Sequence, residues 1–296
     1  MNELICGTRG SELALTQTDL VLRELSKYSD SRVTVKKIKT TGDKRQTRER
    51  VSSDDKKDWI IELEQQLLSK EIDFAIHSAK DVPIDIEPDT KVISVLNRAN
   101  PKDAFIFSNK VKTRLKGFKL NDLPKGARIG TSSLRRSTQL LAARNDLEII
   151  PIRGNVRTRI SKIESENLDA VILANAGLLR LGIKADCIVN EIIPAMCQGT
   201  LCVQFLKERE DLEELFRKIS IKEVERSFLF EREVVKELNA DCSSALGVYL
   251  DKDNYLIRVI NFKNNTYKDF SGIFSSNSEI NSICKEIIPI AKESWG

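Results

Sequence analysis

The strongest constraint in this sequence is its rhythm. From Leu4 to Leu173, short β-like runs alternate with stretches of helical spacing. That pattern builds mainly parallel sheets covered by helices on both faces, so the chain is expected to be an α/β protein. Leu4–Cys6, Val33–Lys39, Phe74–Ile76, Ala104–Phe107, Arg128–Ile129, Glu148–Ile152 and Ala170–Leu173 read as strands. Ser11–Leu25, Trp59–Leu68, a stretch from Ser133 to Arg144 and one starting at Asn155 read as helices. Beyond Ile219 the rhythm changes to a long amphipathic helix (Glu223–Leu238), three strand-like runs (Leu246–Leu250, Tyr255–Asn261, Tyr267–Phe270) and a helix near Glu279–Ile290. This is the pattern of a small, separate α+β domain. Asn97–Pro101 and Pro194–Gly199 interrupt the α/β part, and 296 residues at ~150 per domain allow two or three domains.

Composition excludes several function classes. The longest apolar stretch, near Ala170–Leu179, falls far short of the ~20 residues of a membrane helix. The opening MNELICGTRGSELAL lacks the basic-then-apolar layout of a secretory signal, so a cytoplasmic protein without a membrane partner is expected. Six cysteines lie scattered with no CxxC pair, and His77 is the only histidine, which argues against a disulfide framework and against a metal site. The formal charge is +4, with 44 acids interspersed among 48 bases, and no recognition helix or continuous basic face suits nucleic acid. Thr40–Asp58 is highly charged and nearly free of apolar residues, and reads as a surface loop of the length that functional lids have. No exposed apolar stripe advertises an interface, so a monomer is expected.

The densest chemical feature is arginine at helix starts. Ser132-Ser133-Leu134-Arg135-Arg136 sets two guanidinium groups in the first turn of a helix, where the free N–H groups and the dipole already favour anions. Paired arginines are unfavourable there unless an anion joins them. Arg153-Gly154-Asn155-Val156-Arg157-Thr158-Arg159 repeats the arrangement after another strand, and Arg9 stands in a third Gly-Thr turn. Cys6-Gly7-Thr8-Arg9-Gly10-Ser11 and Ile129-Gly130-Thr131-Ser132-Ser133 echo each other, one per α/β block; two helix starts pointing into a shared cleft and two ordinary helix caps both explain the echo. Guanidinium forks suit carboxylate or phosphate, so converging arginines imply a ligand with several anionic groups.

Two further features carry chemistry. The run DFAIHSAKDVP (73–83) delivers His77, Ser78, Lys80 and Asp81 at the carboxyl end of a buried strand. Asp81 there serves either as a carboxylate for proton transfer and cation stabilisation or as a turn residue before Pro83. The loop Ala240-Asp241-Cys242-Ser243-Ser244 presents a cysteine that is a nucleophile, an attachment point or an inert loop residue. From the residues alone, an anion receptor and an enzyme both remain open.

Taken together and in this order, GTRGSELALTQ (7–17), HSAKDVP (77–83), NPKDAF (100–105), RIGTSSLRR (128–136), RGNVRTR (153–159) and DAVILANAGLLRLG (169–182) resemble the hydroxymethylbilane synthase, or porphobilinogen deaminase, family. The resemblance implies two periplasmic-binding-protein-like doubly wound lobes, residues 1–97 with 200–218 and residues 98–199, followed by an α+β domain, 219–296, that carries the cofactor cysteine. It implies a transferase of haem and tetrapyrrole biosynthesis that joins four porphobilinogen molecules head to tail with release of ammonia. Cys242 aligns with the cysteine that holds a dipyrromethane primer as a thioether. Asp81 matches the catalytic carboxylate, which assists loss of ammonia and stabilises the azafulvenium cation that results. Ser78, Lys80, Thr131, Ser133, Arg135, Arg136, Arg153, Asn155 and Gln198 match positions around the cofactor. Arg9, Ser11, Arg135, Arg153 and Arg159 match positions that meet substrate carboxylates.

The implied partner is porphobilinogen, with no metal, nucleic acid or membrane. The chain departs from the family pattern in four places. The lid stretch 47–58 lacks the usual glycines and is followed by Trp59 where phenylalanine is usual, Ala240-Asp241 precede the attachment cysteine, Met196-Cys197 precede Gln198-Gly199, and Gln204-Phe205 stand where a glutamate is usual. The alternative function is a catalytically impaired relative that binds a small polyanion.

Overall fold

The computed structural model describes residues 3–38, 55–114, 117, 119–240 and 244–295, the side chains of 55–59 excepted. In chain order the first half holds β1 (Glu3–Arg9), α1 (Glu12–Leu25), β2 (Arg32–Ile38), α2 (Asp55–Leu68), β3 (Phe74–Ser78), β4 (Thr90–Val95), β5 (Asp103–Phe107), β6 (Arg128–Gly130) and α3 (Leu134–Ala143). The second half holds β7 (Glu148–Ile150), α4 (Val156–Ser165), β8 (Ala170–Ala174), α5 (Asn175–Arg180), β9 (Cys187–Val189), β10 (Leu201–Leu206), α6 (Glu210–Arg217), α7 (Lys222–Glu237), β11 (Leu246–Asp251), β12 (Asn254–Asn261), β13 (Thr266–Ile273) and α8 (Ile280–Trp295). Short helical turns lie between them. The strands β4, β9 and β10 and the helices α5 and α6 have no counterpart in the sequence reading.

By its internal contacts the chain forms two compact units, Met1–Ala99 with Gly199–Phe228 and Asn100–Gln198 with Leu229–Gly296. The sheet of the first unit has the order β2-β1-β3-β10-β4. β1 runs parallel to β2 and β3, whereas β10 runs antiparallel to both β3 and β4, so β10 alone is reversed. Phe74, Ile76, Val203 and Phe205 pack on one face with Phe216 of α6, the Phe74 and Phe216 rings meeting edge-on at 4.9 Å. The other face carries buried polar side chains. There Gln204 donates its amide N–H to Glu64 and to Thr90 at 2.8 Å each, which satisfies groups that would be costly to bury alone.

The sheet of the second unit has the order β7-β6-β8-β5-β9, with β5 as the reversed strand. The two orders are the same; β5 is the first strand after the chain passes into the second unit, and β10 the first after it returns to the first. Both sheets are doubly wound, as expected. In the second, Phe105, Phe107, Ala170 and Ile172 pack on one face and Ala104, Ile106, Val171 and Leu173 on the other. Burial of both faces is why AVIL (170–173) and AFIF (104–107) read as unbroken apolar runs rather than as alternation. The echo noted in the sequence is part of this repetition. Gly7 and Gly130 occupy matching strands, and a Cβ on Gly130 would stand 2.7 Å from Leu168 Cδ1. Asp73 and Asp169 each accept a backbone N–H from the neighbouring strand, from Ile5 at 2.7 Å and Arg128 at 2.8 Å.

The second unit also contains the antiparallel sheet β11-β12-β13, an α+β arrangement with α8 and the latter part of α7. Phe230 of α7 meets Phe274 with ring centroids 4.5 Å apart. No helix among the described residues is long and apolar enough to cross a membrane.

Candidate active site

In the first unit, β1 and β3 are parallel neighbours, so their carboxyl ends open on the same edge of the sheet. Arg9 closes β1, and Ser11 caps α1 by accepting the Ala14 N–H at 3.2 Å. Ser78 closes β3, and Ala79–Asp81 form one 3-10 turn that leaves Asp81 exposed. That turn is anchored by the Ala79 N–H on the Thr200 carbonyl at 3.0 Å. Gln17 donates to Ser78 Oγ at 2.9 Å, tying α1 to the end of β3. Five of the sequence-derived positions (Arg9, Ser11, Ser78, Lys80 and Asp81) therefore share one edge. Burial pushes the His77 imidazole down to about 4, against a Gln204 hydrogen bond and the Asp81 charge, so it is neutral at pH 7.

In the second unit, β6, β7 and β8 end on one edge, and the reversed β5 begins there, Asp103 lying opposite Ala174. Thr131 follows β6 and accepts the Ser133 N–H at 3.1 Å, and Ser133 is the N-cap of α3. Arg153 is exposed beyond β7. Asn155 caps α4, accepting the Thr158 N–H at 2.9 Å, and Arg159 Nε donates to the Gly154 carbonyl at 2.7 Å. Gly154 has φ +115°, a conformation that side-chain-bearing residues rarely adopt, which fits its place in this tight turn.

Arg135 and Arg136 differ from the sequence-based expectation in one respect. Their anion is internal: Asp103, fully buried, pairs with Arg135 and with Arg136, each at 2.8 Å. Burial alone would raise the Asp103 pKa, and the two guanidinium charges overcome this, holding it far below the usual carboxylate range. Gln198 adds a hydrogen bond to Asp103 Oδ1 at 3.0 Å and another to the Pro101 carbonyl at 2.6 Å. Two cations share one anion, so this buried cluster has a surplus positive charge at the strand ends.

Asp103 was not singled out from the sequence; its only mark there is its place in NPKDAF. Glu231, fully buried, also escaped notice; it accepts the backbone N–H groups of Cys197 and of Leu250, the latter at 2.9 Å. Among the five glutamates of α7 its only mark in the sequence is that it directly follows the apolar run Phe228–Phe230. Cys242 and its neighbours Asp241 and Ser243 lie outside the described residues, as do lid residues 39–54 and the Trp59 side chain. Among the described residues no group of three or more His, Cys, Asp or Glu side chains could hold a metal ion.

Doubly wound α/β units that gather hydroxyls, amides and guanidinium groups at their strand ends define a class of protein whose strand-end donors suit anionic groups. Residues 4–214 match the family model described as porphobilinogen deaminase, dipyromethane cofactor binding domain. A porphobilinogen deaminase of Clostridium novyi is 39% identical over 262 residues, 85% of either chain. One of Clostridium botulinum is 37% identical over 291 residues, 95% of this chain and 97% of that one. Among solved structures, substrate binding domain 2 of Lactococcus lactis GlnP aligns over 80% of this chain and 92% of its own, with a TM-score of 0.47 and 12% identity. The chain belongs to the porphobilinogen deaminase family, whose members are transferases.

Proposed function

We propose that the chain condenses porphobilinogen head to tail into hydroxymethylbilane in the cytoplasm, on a primer held by Cys242, with Asp81 as the catalytic carboxylate. The observation that carries this reading is the surplus charge of the Arg135–Asp103–Arg136 cluster at a strand edge that also carries Thr131, Ser133, Arg153, Asn155 and Arg159. Dipyrromethane, when bound, supplies a pyrrole carbon as nucleophile and an acetate and a propionate on each ring. The donor set suits those carboxylates, since guanidinium, hydroxyl and amide groups predominate in it. Arg135, Arg136, Arg153, Asn155, Gln198, Thr131, Ser133, Ser78 and Lys80 are the groups that would hold the cofactor. Arg9, Ser11, Arg135, Arg153 and Arg159 would receive the substrate's acetate and propionate. The division of labour is a first lobe (1–97, 200–218), a second lobe (98–199) and a domain (219–296) that presents the cysteine.

Asp81, in the turn that follows β3, stabilises positive charge developing on the substrate as ammonia leaves. The same carboxylate oxygen then takes up the proton released after carbon–carbon bond formation. Exclusion of water strengthens both effects. The test is ammonia and hydroxymethylbilane release from porphobilinogen by wild type and Asp81→Asn. The expected loss in kcat is about 10²–10⁴-fold, with cofactor loading of the variant unchanged in intact mass. A wild-type protein that binds porphobilinogen reversibly and releases no ammonia is a receptor, and the proposal fails.

A further inference from the structure

The Arg135 side chain is aimed from two sides. Its second terminal nitrogen binds Asp103, and its first donates to the Ile193 carbonyl at 2.7 Å. Ile193 sits on a strap, Glu191–Gln198, that leads to the Asp103-binding amide of Gln198. Around Ile193 the hold on this strap comes from α3 and from the C-terminal sheet of the same unit, while Glu231 of α7 accepts the Cys197 N–H further along. Gln139 of α3 clasps Ile193 in both directions, accepting its N–H at 2.8 Å and donating to its carbonyl at 3.1 Å. On the sheet side, Val248 of β11 donates its N–H to the Pro194 carbonyl at 3.1 Å. Ile193 packs so closely on Gly247 that a Cβ there would lie 2.7 Å from its own Cβ.

One side chain joins these holds. Arg258 on β12, opposite Gly247 in register, is 8% exposed and makes every kind of contact a guanidinium offers. Asp269 grips it with both oxygens at 2.7 Å, and the Tyr267 ring lies 3.7 Å from its central carbon. Its remaining terminal nitrogen donates to Gln139 Oε1 at 3.2 Å and to the Glu191 carbonyl at 2.7 Å. A buried cation would need only Asp269 for charge balance. This one also fixes the orientation of the amide that clasps Ile193, and it fixes the first residue of the strap. Lysine would lack the planar fork to do both while paired with Asp269.

We infer that Arg258 is a positioning residue: through Gln139 and the Glu191–Ile193 backbone, it sets the direction in which Arg135 presents its guanidinium to a ligand carboxylate. This deepens the proposed function and rests on Arg135 being a carboxylate donor. If Arg258 acts through Arg135, its removal loosens ligand binding in a way that disappears once Arg135 is gone. If it only holds the sheet together, its removal lowers stability and leaves ligand binding in the folded protein unchanged.

The experiment is a double-mutant cycle on the holoenzyme with Arg258→Met, Arg135→Met and the pair. Arg135→Met leaves Asp103 balanced by Arg136, so the buried charges still match. For each variant the readouts are kcat and KM for porphobilinogen, cofactor loading of freshly made cofactor-free protein by intact mass, and the unfolding midpoint. Arg258→Met is expected to raise KM about five- to tenfold with kcat within about twofold, to slow loading, and to change KM by less than about twofold in the Arg135→Met background. Arg258→Lys recovers part of the loss. Asp269→Asn, which loosens the grip on the guanidinium without removing it, shifts KM in the same direction and serves if Arg258→Met does not fold. Effects on KM that multiply in the pair, or an unfolding midpoint that drops with KM and loading at wild-type values, overturn the inference and leave the role of Arg135 standing. Wild-type KM and loading in Arg135→Met alone overturn that role, and the inference with it.

Discussion

At the scale of single residues, the second unit's edge is organised around one carboxylate. Asp103 is fully buried and neutralises half of the charge that Arg135 and Arg136 bring with them. Removing one partner of such a cluster leaves uncompensated buried charge, so Asp103→Asn is expected to lower stability by about 3–5 kcal/mol, read as the urea midpoint at constant slope. The pH dependence has a definite sign. A carboxylate held far below its ordinary value contributes stability that is complete above about pH 4 and is lost only as pH falls through the acid range below that. His77 acts at higher pH. Its imidazole is pushed from 6.5 down to about 4, so its contribution is complete above pH 6.5 and is lost as pH falls toward 4. That shift corresponds to about 3 kcal/mol. As the sole histidine, it gives one imidazole resonance, whose NMR titration midpoint is expected near 4 in the folded protein. A midpoint near 6.5 would show that the ring is solvated. The neutral side chain of Gln204 also has a physical reason. Its amide donates to Glu64, where a second carboxylate would face a like charge.

At the scale of elements, the sequence was legible wherever a run had a clear period and an end signal. α1 begins one residue after Ser11 and α4 one residue after Asn155, each cap oxygen accepting the expected N–H, because Ser and Asn are N-cap residues by chemistry. The three C-terminal strands came out near their observed bounds because turn residues separate them. β4, β9 and β10 were not legible. β9 is three residues long, and LCVQFL of β10 is buried throughout, so no alternation marks it as a strand. Asp103 was illegible for another reason. Its role depends on β5 being reversed, which brings its first residue to the edge where β6 ends, and no local pattern encodes strand direction. Gly130 is a close-packing glycine at that edge, with Leu168 Cδ1 at 2.7 Å and Ile152 Cδ1 at 2.8 Å from a would-be Cβ. Gly130→Ala is expected to lower stability by about 1–3 kcal/mol through overpacking, measured by thermal unfolding with the far-ultraviolet spectrum unchanged.

At the scale of the whole molecule, two sheets with one strand order, each with its reversed strand added at a crossing between the units, account for the echo of Gly-Thr turns. The arginines, hydroxyls and the two aspartates fall on carboxyl edges because doubly wound sheets gather their loops there. Under the proposed function, the groups on these edges meet the carboxylates of a growing chain. The central claim is that this chain builds that product on a primer anchored at Cys242, and intact mass under denaturing conditions tests it most directly. Wild type and Cys242→Ser are expressed side by side and weighed. Wild type is expected to carry the added mass of two deaminated porphobilinogen units and Cys242→Ser to carry none. An unmodified wild type that porphobilinogen cannot load, or an equal added mass on Cys242→Ser, would contradict it.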